Sequence, residues 1–442
     1  MRGTEHFVGD FQKLVSRADR PVPPWVSAVR EAAIARFAEI GFPTTREEDW
    51  KYTNVSRLVS VPYRAAIKHG ERPVDAGLRE ASLVGDGAVA RLVFVNGGFV
   101  KGASDLDRLP PGVRVESLAA TLARDGESVA HHLARHAAFD RNGFTALSTA
   151  FLDDGAFVFV SDGVELERPI ELVFASSGGG GEVVAHPRLL VVCGSQSRAM
   201  LVEQYVATGD GSTLTNAVGE VVLEEGARFD HVRLVREGER GAHVATTEVV
   251  QGRDSRYRSL AIVLGAAFLR HNLNVTLGAE GAECVLDGLY LAAGKDFVDH
   301  HTAIDHAVPH GTSRELYKGI VAGEAKAVFN GKVIVRANAQ KSDAQQTNKN
   351  LLLSDRAEVD SKPELQILAD DVKCAHGAAI GQLDPDALFY LASRGIGEAL
   401  SRRLLTHGFA AEVIQRVPIP ELRPVLERIL VERLERGLVE DR

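Results

Sequence analysis

The chain has 442 residues, a formal net charge of −9, 45% apolar and 25% charged residues. That is ordinary globular composition, long enough for a sizeable core and for two or three domains, and it excludes a disordered or fibrous chain. The negative balance disfavours nucleic acid or an anionic membrane surface as the main partner.

The first 60 residues read as helical. Thr4 suits the cap of a helix over residues 5–18, which Pro21, Pro23 and Pro24 then interrupt. A second helix is predicted from Pro24 to Ile40, with proline at the first helical position and Gly41 just past the end. Val26, Val29, Ala33, Phe37 and Ile40 recur on one face of it.

From about residue 150 to 370 the pattern turns to short β-rich runs. They include Phe157–Val160, Ile170–Phe174, Leu189–Val192, Met200–Val206, Phe229–Val235, Val244–Val250, Leu260–Leu264, Leu273–Leu277 and Val333–Val335, with Gly, Asp, Glu and Ser between them. No amphipathic helix intervenes, which argues against alternating βαβ units and for a sandwich, barrel or solenoid. A recurring turn ends in alanine: Leu223 to Ala227, Leu277 to Ala282, Val321 to Ala325, Leu353 to Ala357. The spacing of these alanines is irregular, so no fixed repeat is supported. Aromatics are only 6% and glycines number 42. Both suit an aliphatic, turn-rich solenoid, but a sandwich stays open.

After Gln382 the texture is helical again. Asp384-Pro385-Asp386 is a helix start, and Leu388, Leu391, Ile396, Leu400 and Leu404 have helical spacing, punctuated by Gly395 and Gly408. A last helix is expected from about Pro424 to Leu438. It carries Val425, Leu426, Ile429, Leu430 and Leu434 on one face and pairs Glu432 with Arg436 on the other. Such a stripe packs on a core or, less commonly, on a partner.

The three cysteines, Cys193, Cys284 and Cys374, are too few and too scattered for a disulfide framework. Residues 1–14 have no apolar signal core. The longest near-apolar run, Leu260 to Leu269, is half of what a ~20-residue membrane span needs. A cytoplasmic protein is expected.

Phosphate-loop, dinucleotide and nucleophile-elbow motifs are absent. Gly331-Lys332 is followed by Val333, which has no hydroxyl for magnesium, and Gly395-Ile396-Gly397 follows a helix instead of a strand. Hydrolysis or hydride transfer by this chain alone has no motif behind it.

Two clusters remain. In Asp299-His300-His301-Thr302-Ala303-Ile304-Asp305-His306, extending to His310, strand alternation puts His300, His306 and His310 on one face and Asp299, His301 and Asp305 on the other. A polar strand with hydrogen-bonded histidines is the simpler reading, and a metal site the sharper one. In Asp371-Val372-Lys373-Cys374-Ala375-His376-Gly377, Cys374 and His376 share a face of any strand. Thiolate and imidazole are ligands for iron or zinc, and Lys373 would favour the thiolate. Two ligands do not complete a site, so a second chain would supply the rest. A structural cysteine beside a satisfied histidine is the alternative.

Several segments together resemble the SufD branch of the SufB/SufD family of the SUF iron–sulfur cluster assembly system. They are Phe42-Pro43-Thr44-Thr45-Arg46-Glu47-Glu48-Asp49-Trp50-Lys51-Tyr52-Thr53, Asp299 to Thr302, Ser313 to Gly319, Gln345 to Leu353, Glu364 to Ile367, and Asp371 to Gly377 with Leu388-Phe389-Tyr390-Leu391 and Arg394-Gly395. The resemblance spans most of the chain. It implies a mainly β protein, a right-handed parallel β-helix over 141–384 flanked by an N-terminal mainly helical region, 1–140, and a C-terminal helical domain, 385–442.

It also implies a non-catalytic scaffold in complex with SufB and the ABC-type ATPase SufC. His376, with Cys374 nearby, would lie at the SufB interface and help hold a transient iron–sulfur cluster or iron. Leu388, Phe389, Tyr390 and Arg394 fall in the region that docks SufC. A reduced flavin is associated with such complexes, with no residue here to mark its site, and the isolated chain could form a homodimer. A β-helix carbohydrate-active enzyme is the alternative of another class. It would need exposed aromatics and usually a secretion signal. A stand-alone metalloprotein using His300, His306 and His310 is a third reading.

Overall fold

The computed structural model describes residues 4–16, 22–66, 81–179, 181–209 and 211–435. Its body is two long sheets face to face, of eleven and ten strands. From Arg188 onward consecutive strands alternate between the sheets, and each pairs in parallel with the strand two further along the chain. Thr213–Leu223, for example, pairs with Gly238–Gln251, and Arg228–Arg236 pairs with Arg256–Val263. The chain thus winds as a parallel β-solenoid of about eight turns, and the sandwich alternative is excluded.

The register reveals a repeat that the alanine spacing hid. Arg198 aligns with Arg228, Arg256, Glu283, Thr312 and Asp343. The residue before each is Ser197, Ala227, Ser255, Ala282, Gly311 and Ser342. All six are buried, and each carbonyl from Ser197 to Ser342 accepts a backbone N–H from the next turn. One corner of the solenoid is therefore a column of small residues. Ala325 and Ala357 belong to the opposite corner.

Strand alternation sorts the side chains into layers. On Glu283–Ala292, Cys284, Leu286, Tyr290 and Ala292 point into the lumen between the sheets, while Leu289 and Leu291 point out. The outer face of that sheet is covered by the C-terminal helices Glu398–Ile414 and Leu422–Arg433. Ala410, Val413, Ile414, Leu422, Leu426, Leu430 and Leu434 pack there on Val232, Leu260, Ile262 and Leu316. Lys318 fastens the first helix through Glu412 at 2.6 Å and the Phe409 carbonyl at 2.8 Å. The stripe on the last helix is thus a core stripe. That helix begins two residues before the expected Pro424, and the Glu432–Arg436 pair falls outside the described residues.

The other sheet is covered by N-terminal helices, Glu5–Val15 and Pro24–Ile40. Thr4 stands at the cap of the first but makes no side-chain cap bond. The second has the predicted bounds, with Pro24 in its first turn and Gly41 at φ +66° after its end. Val26, Ala33 and Phe37 are buried as expected, while Arg30 and Ile34 replace Val29 and Ile40 in the buried set. Gly408 does not punctuate. It lies inside Glu398–Ile414, where an added Cβ would meet nothing within 4 Å.

The two ends of the solenoid differ. At the first turn, Ala90–Val95 adds a parallel strand and Val113–Ser117 an antiparallel one, strands that the sequence patterning did not reveal. At the last turn, Glu358–Ile367 and Lys373–Gly381 are each paired on one side only. Among the described residues nothing covers that end.

Candidate functional site

The open end carries the Cys374–His376 pair. A tight turn sets the strand: Lys341, at φ +62°, bonds the Asp371 carbonyl and forms an ion pair with the Asp371 carboxylate, and Asp371 N–H reaches Gln340 Oε1 at 2.8 Å. Lys373–Gly381 then runs parallel to Asp343–Leu352, with Cys374 opposite Ala344 and His376 opposite Gln346. The strand expected from sequence is present, so both side chains share its inward face.

Cys374 is half-buried against Val333, Val335, Ala344 and Ala369. Burial pushes its thiol up, Asp343 adds to the shift, and a backbone N–H bond from Ala344 only partly offsets them. Lys373, on the opposite face, therefore does not favour the thiolate as anticipated. Cys193 and Cys284 are fully buried, and burial lifts the Cys193 thiol to about 12.

His376 is exposed. Beneath it the same inward column continues through Gln346, Glu315, Leu286, Ser259 and His231. Around the pair, Ile367, Leu368 and Ile380 are exposed apolar side chains. An unpaired backbone edge flanked by bare aliphatics is a template for strand addition. Among the described residues no group of three or more His, Cys, Asp or Glu could hold a metal ion. Cys374 and His376 thus provide two donors and would need others from outside.

Next to this edge Asp384 caps the helix Pro385–Ser393, accepting the Asp386 N–H at 2.9 Å. None of its residues is buried. Phe389 is 76% and Tyr390 56% exposed, Leu388 is half-buried, and Arg394 lies over the Tyr390 ring at 5.3 Å.

The histidine cluster does not form one face. His300 and His306 point into the lumen of Phe297–His306, but His310 lies beyond the strand, exposed, at φ +63°. His306 Nε2 pairs with Ser313 at 2.9 Å, His301 with Asp299 at 3.2 Å, and His300 sits between Tyr290 and Tyr317. Burial lowers His300 to about 3 and His306 to about 4.

Asp299, expected on the outer face, is fully buried there. It accepts from Thr53 and, at 2.5 Å, from Arg270, whose guanidinium lies 4.3 Å over Trp50. Despite a burial cost that raises it, the Arg270 charge holds the Asp299 carboxyl well below its usual range. Arg270 was missed from sequence, because no motif contains it and only its buried outward position marks it. Glu315 and Gln346 were seen only as parts of longer segments. Their signal is polar residues at inward parity in otherwise buried strands.

These features define a class: a parallel β-solenoid with antiparallel edge strands at its first end and a parallel edge at its last, where a Cys-x-His strand lies. Residues 174–409 match the family described as SUF system FeS cluster assembly, SufBD core domain, and residues 1–172 match the SufBD protein N-terminal region. The chain is 36% identical over 403 residues to the iron–sulfur cluster assembly SufBD family protein slr0076 of Synechocystis, covering 89% of this chain and 88% of that one. It is 31% identical over 399 residues to the iron–sulfur cluster assembly protein SufD of Escherichia coli, covering 90% of each. Protein ABCI7, chloroplastic, of Arabidopsis thaliana is 30% identical over 410 residues, covering 89% and 83%. The chain belongs to the SufBD family of iron–sulfur cluster assembly proteins. Among its described residues no helix is long and apolar enough to cross a membrane.

Proposed function

We propose that the chain is a non-catalytic scaffold subunit that works in the cytoplasm in a complex with SufB and the ATPase SufC. The open edge carries this reading. Glu358–Ile367 and Lys373–Gly381 would pair with a β-solenoid partner by strand addition, which satisfies their free backbone groups and covers Ile367, Leu368 and Ile380. His376 and Cys374 then face the junction and add two donors to those of the partner, with iron or the nascent cluster as the cargo. In isolation the same edge would pair with a second copy.

The exposed helix at Leu388, Phe389, Tyr390 and Arg394 would dock SufC, and ATP hydrolysis belongs to that partner. Closure of the ATPase subunits would pull on the C-terminal helices and open the junction. No residue of this chain is assigned to a flavin.

Co-purification with tagged chain tests the complex. Phe389→Ser with Tyr390→Ser is expected to abolish SufC capture while leaving thermal unfolding of the isolated chain unchanged. The His376→Ala complex is expected to assemble but to build clusters slowly. Cluster formation at the normal rate by that complex would refute the ligand role.

A further inference from the structure

Glu315 is the least expected group near the open end. It lies two turns below His376 in the same inward column, bridged by Gln346. Its side chain is buried, and Gln346 Nε2 donates to its Oε2 at 2.6 Å. No cation pairs with it: among the described residues no Lys, Arg or His makes an ion pair or hydrogen bond to Glu315. Glu315 Oε1 and Gln346 Oε1 are both buried and without a partner. The arrangement depends on Gly331, because a Cβ there would meet Gln346 Nε2 at 2.1 Å. The Thr302 hydroxyl, also buried and without a partner, lies near enough to lower the Glu315 carboxyl and can serve one of these acceptors; the other needs a water or a proton on the carboxyl.

Resting on the cluster-assembly reading above, we infer that Glu315 and Gln346 form a buried proton station beneath His376, with Glu315 as the acid–base group that serves the open end. In the free chain the carboxyl takes up a proton as pH falls through neutrality. When a cation seats at His376, the Glu315 O–H bond breaks and the proton passes to a water bridging Glu315 and Gln346, then out through the open end. Glu315 is left as carboxylate, and no electrons move.

Burial raises the Glu315 carboxyl to about 7, Asp287 adds to the shift, and Thr302 and Gln346 lower it in part. The titratable groups whose charge couples to it are Asp287 and Cys284 on Glu283–Ala292 and Tyr317 on its own strand. Asp287 is held on the outer face by Arg416 at 2.9 Å.

The full chain, labelled with 13C at glutamate side-chain carboxyls, tests this without any partner. One resonance, lost in Glu315→Gln, is expected to titrate near 7, well above ordinary glutamates. Placing a fixed positive charge at the mouth by His376→Lys is expected to lower that midpoint by about half a pH unit across roughly 10 Å. If Glu315→Gln fails to fold, Glu315→Asp assigns the resonance. An ordinary carboxylate midpoint, or no response to His376→Lys, overturns the proton station whether or not the complex assembles. In the assembled complex, the pH profile of cluster formation is expected to lose its limb near 7 in Glu315→Gln and to keep it in Gln345→Ala. An unchanged profile in Glu315→Gln overturns the acid–base role while leaving the scaffold reading intact.

Discussion

Thr53 and Asp299 lie 246 positions apart and share a buried hydrogen bond. Two segments that the sequence presents as separate signatures, one N-terminal and one central, are thus a single joint. Arg270 completes it by bonding Asp299 Oδ2 at 2.5 Å and the Asp49 carbonyl at 2.9 Å while stacking on Trp50. This carboxylate joins the N-terminal segment to the outer face of the solenoid, alongside the Glu48–Lys362 ion pair at 2.6 Å.

Removing it strands a buried guanidinium. Breaking a buried pair on one side costs about 3–5 kcal/mol. Asp299→Ala should therefore lower the free energy of urea unfolding by that order, whereas Asp299→Asn, which keeps an acceptor, should cost less. A loss below about 1 kcal/mol for Asp299→Ala would show that water replaces the carboxylate and that the clamp is weaker than its geometry suggests.

The buried histidines make the solenoid sensitive to acid. His300 and His306 have folded values of about 3 and 4, lowered by burial, against an unfolded value near 6.5. The unfolded chain therefore takes up protons first. Stability is unaffected above 6.5 and falls as pH drops through the interval down to the folded values, by about 1.4 kcal/mol per pH unit for each histidine. His300→Phe, placed between Tyr290 and Tyr317, should reduce the pH dependence of the urea midpoint between pH 6 and 4.5. The same pH slope in variant and parent would mean that His300 titrates normally.

Cysteine reactivity follows from the same physics. Cys193 and Cys284 are inaccessible, and Cys374 is half-buried with its thiol raised. Under native conditions a neutral alkylating agent should label only Cys374, and more slowly than a free thiol at neutral pH, with the rate rising into alkaline solution. Mass spectrometry of the labelled chain reads this directly. Rapid labelling at neutral pH would indicate that Lys373 acts on the thiolate after all.

How much of this was legible follows from the kind of signal each feature leaves. Pro24 and Gly41 are local devices, and the helix between them was bounded correctly. The strands with aliphatic inward faces were visible for the same reason. Strands such as Asp343–Leu352 were not, because their inward residues Gln346, Asn348 and Asn350 are polar and the pattern that marks a strand disappears. Cys374 and His376 could be placed on one face because alternation is a property of any strand. The exposure of His376 could not, since it depends on no described strand pairing beyond Lys373–Gly381, a fact about topology. His310 was misplaced because the strand ends at His306 and the turn that follows breaks its alternation. The Arg270–Asp299 joint pairs residues from two different turns with a third from the N-terminus, and no local pattern announces that.

The stacked corner offers the strictest test of the solenoid itself. Ala282 is fully buried, and its carbonyl accepts the Thr312 N–H at 3.0 Å. Its neighbours in the column are Ser255 on one turn and Gly311 on the next. Turns about 4.8 Å apart leave room at that corner for a methyl group but not for a branched side chain. Ala282→Leu adds three carbons between two turns that cannot separate without breaking the ladder on both sides. Overpacking of this kind costs about 1–3 kcal/mol, and here the backbone ladder resists relief. The variant should unfold at lower urea concentration, whereas Ala282→Ser, which matches Ser255 and Ser342 in the same column, should be nearly neutral. Equal stability of the leucine and serine variants would mean that the corner is looser than its column of small residues implies.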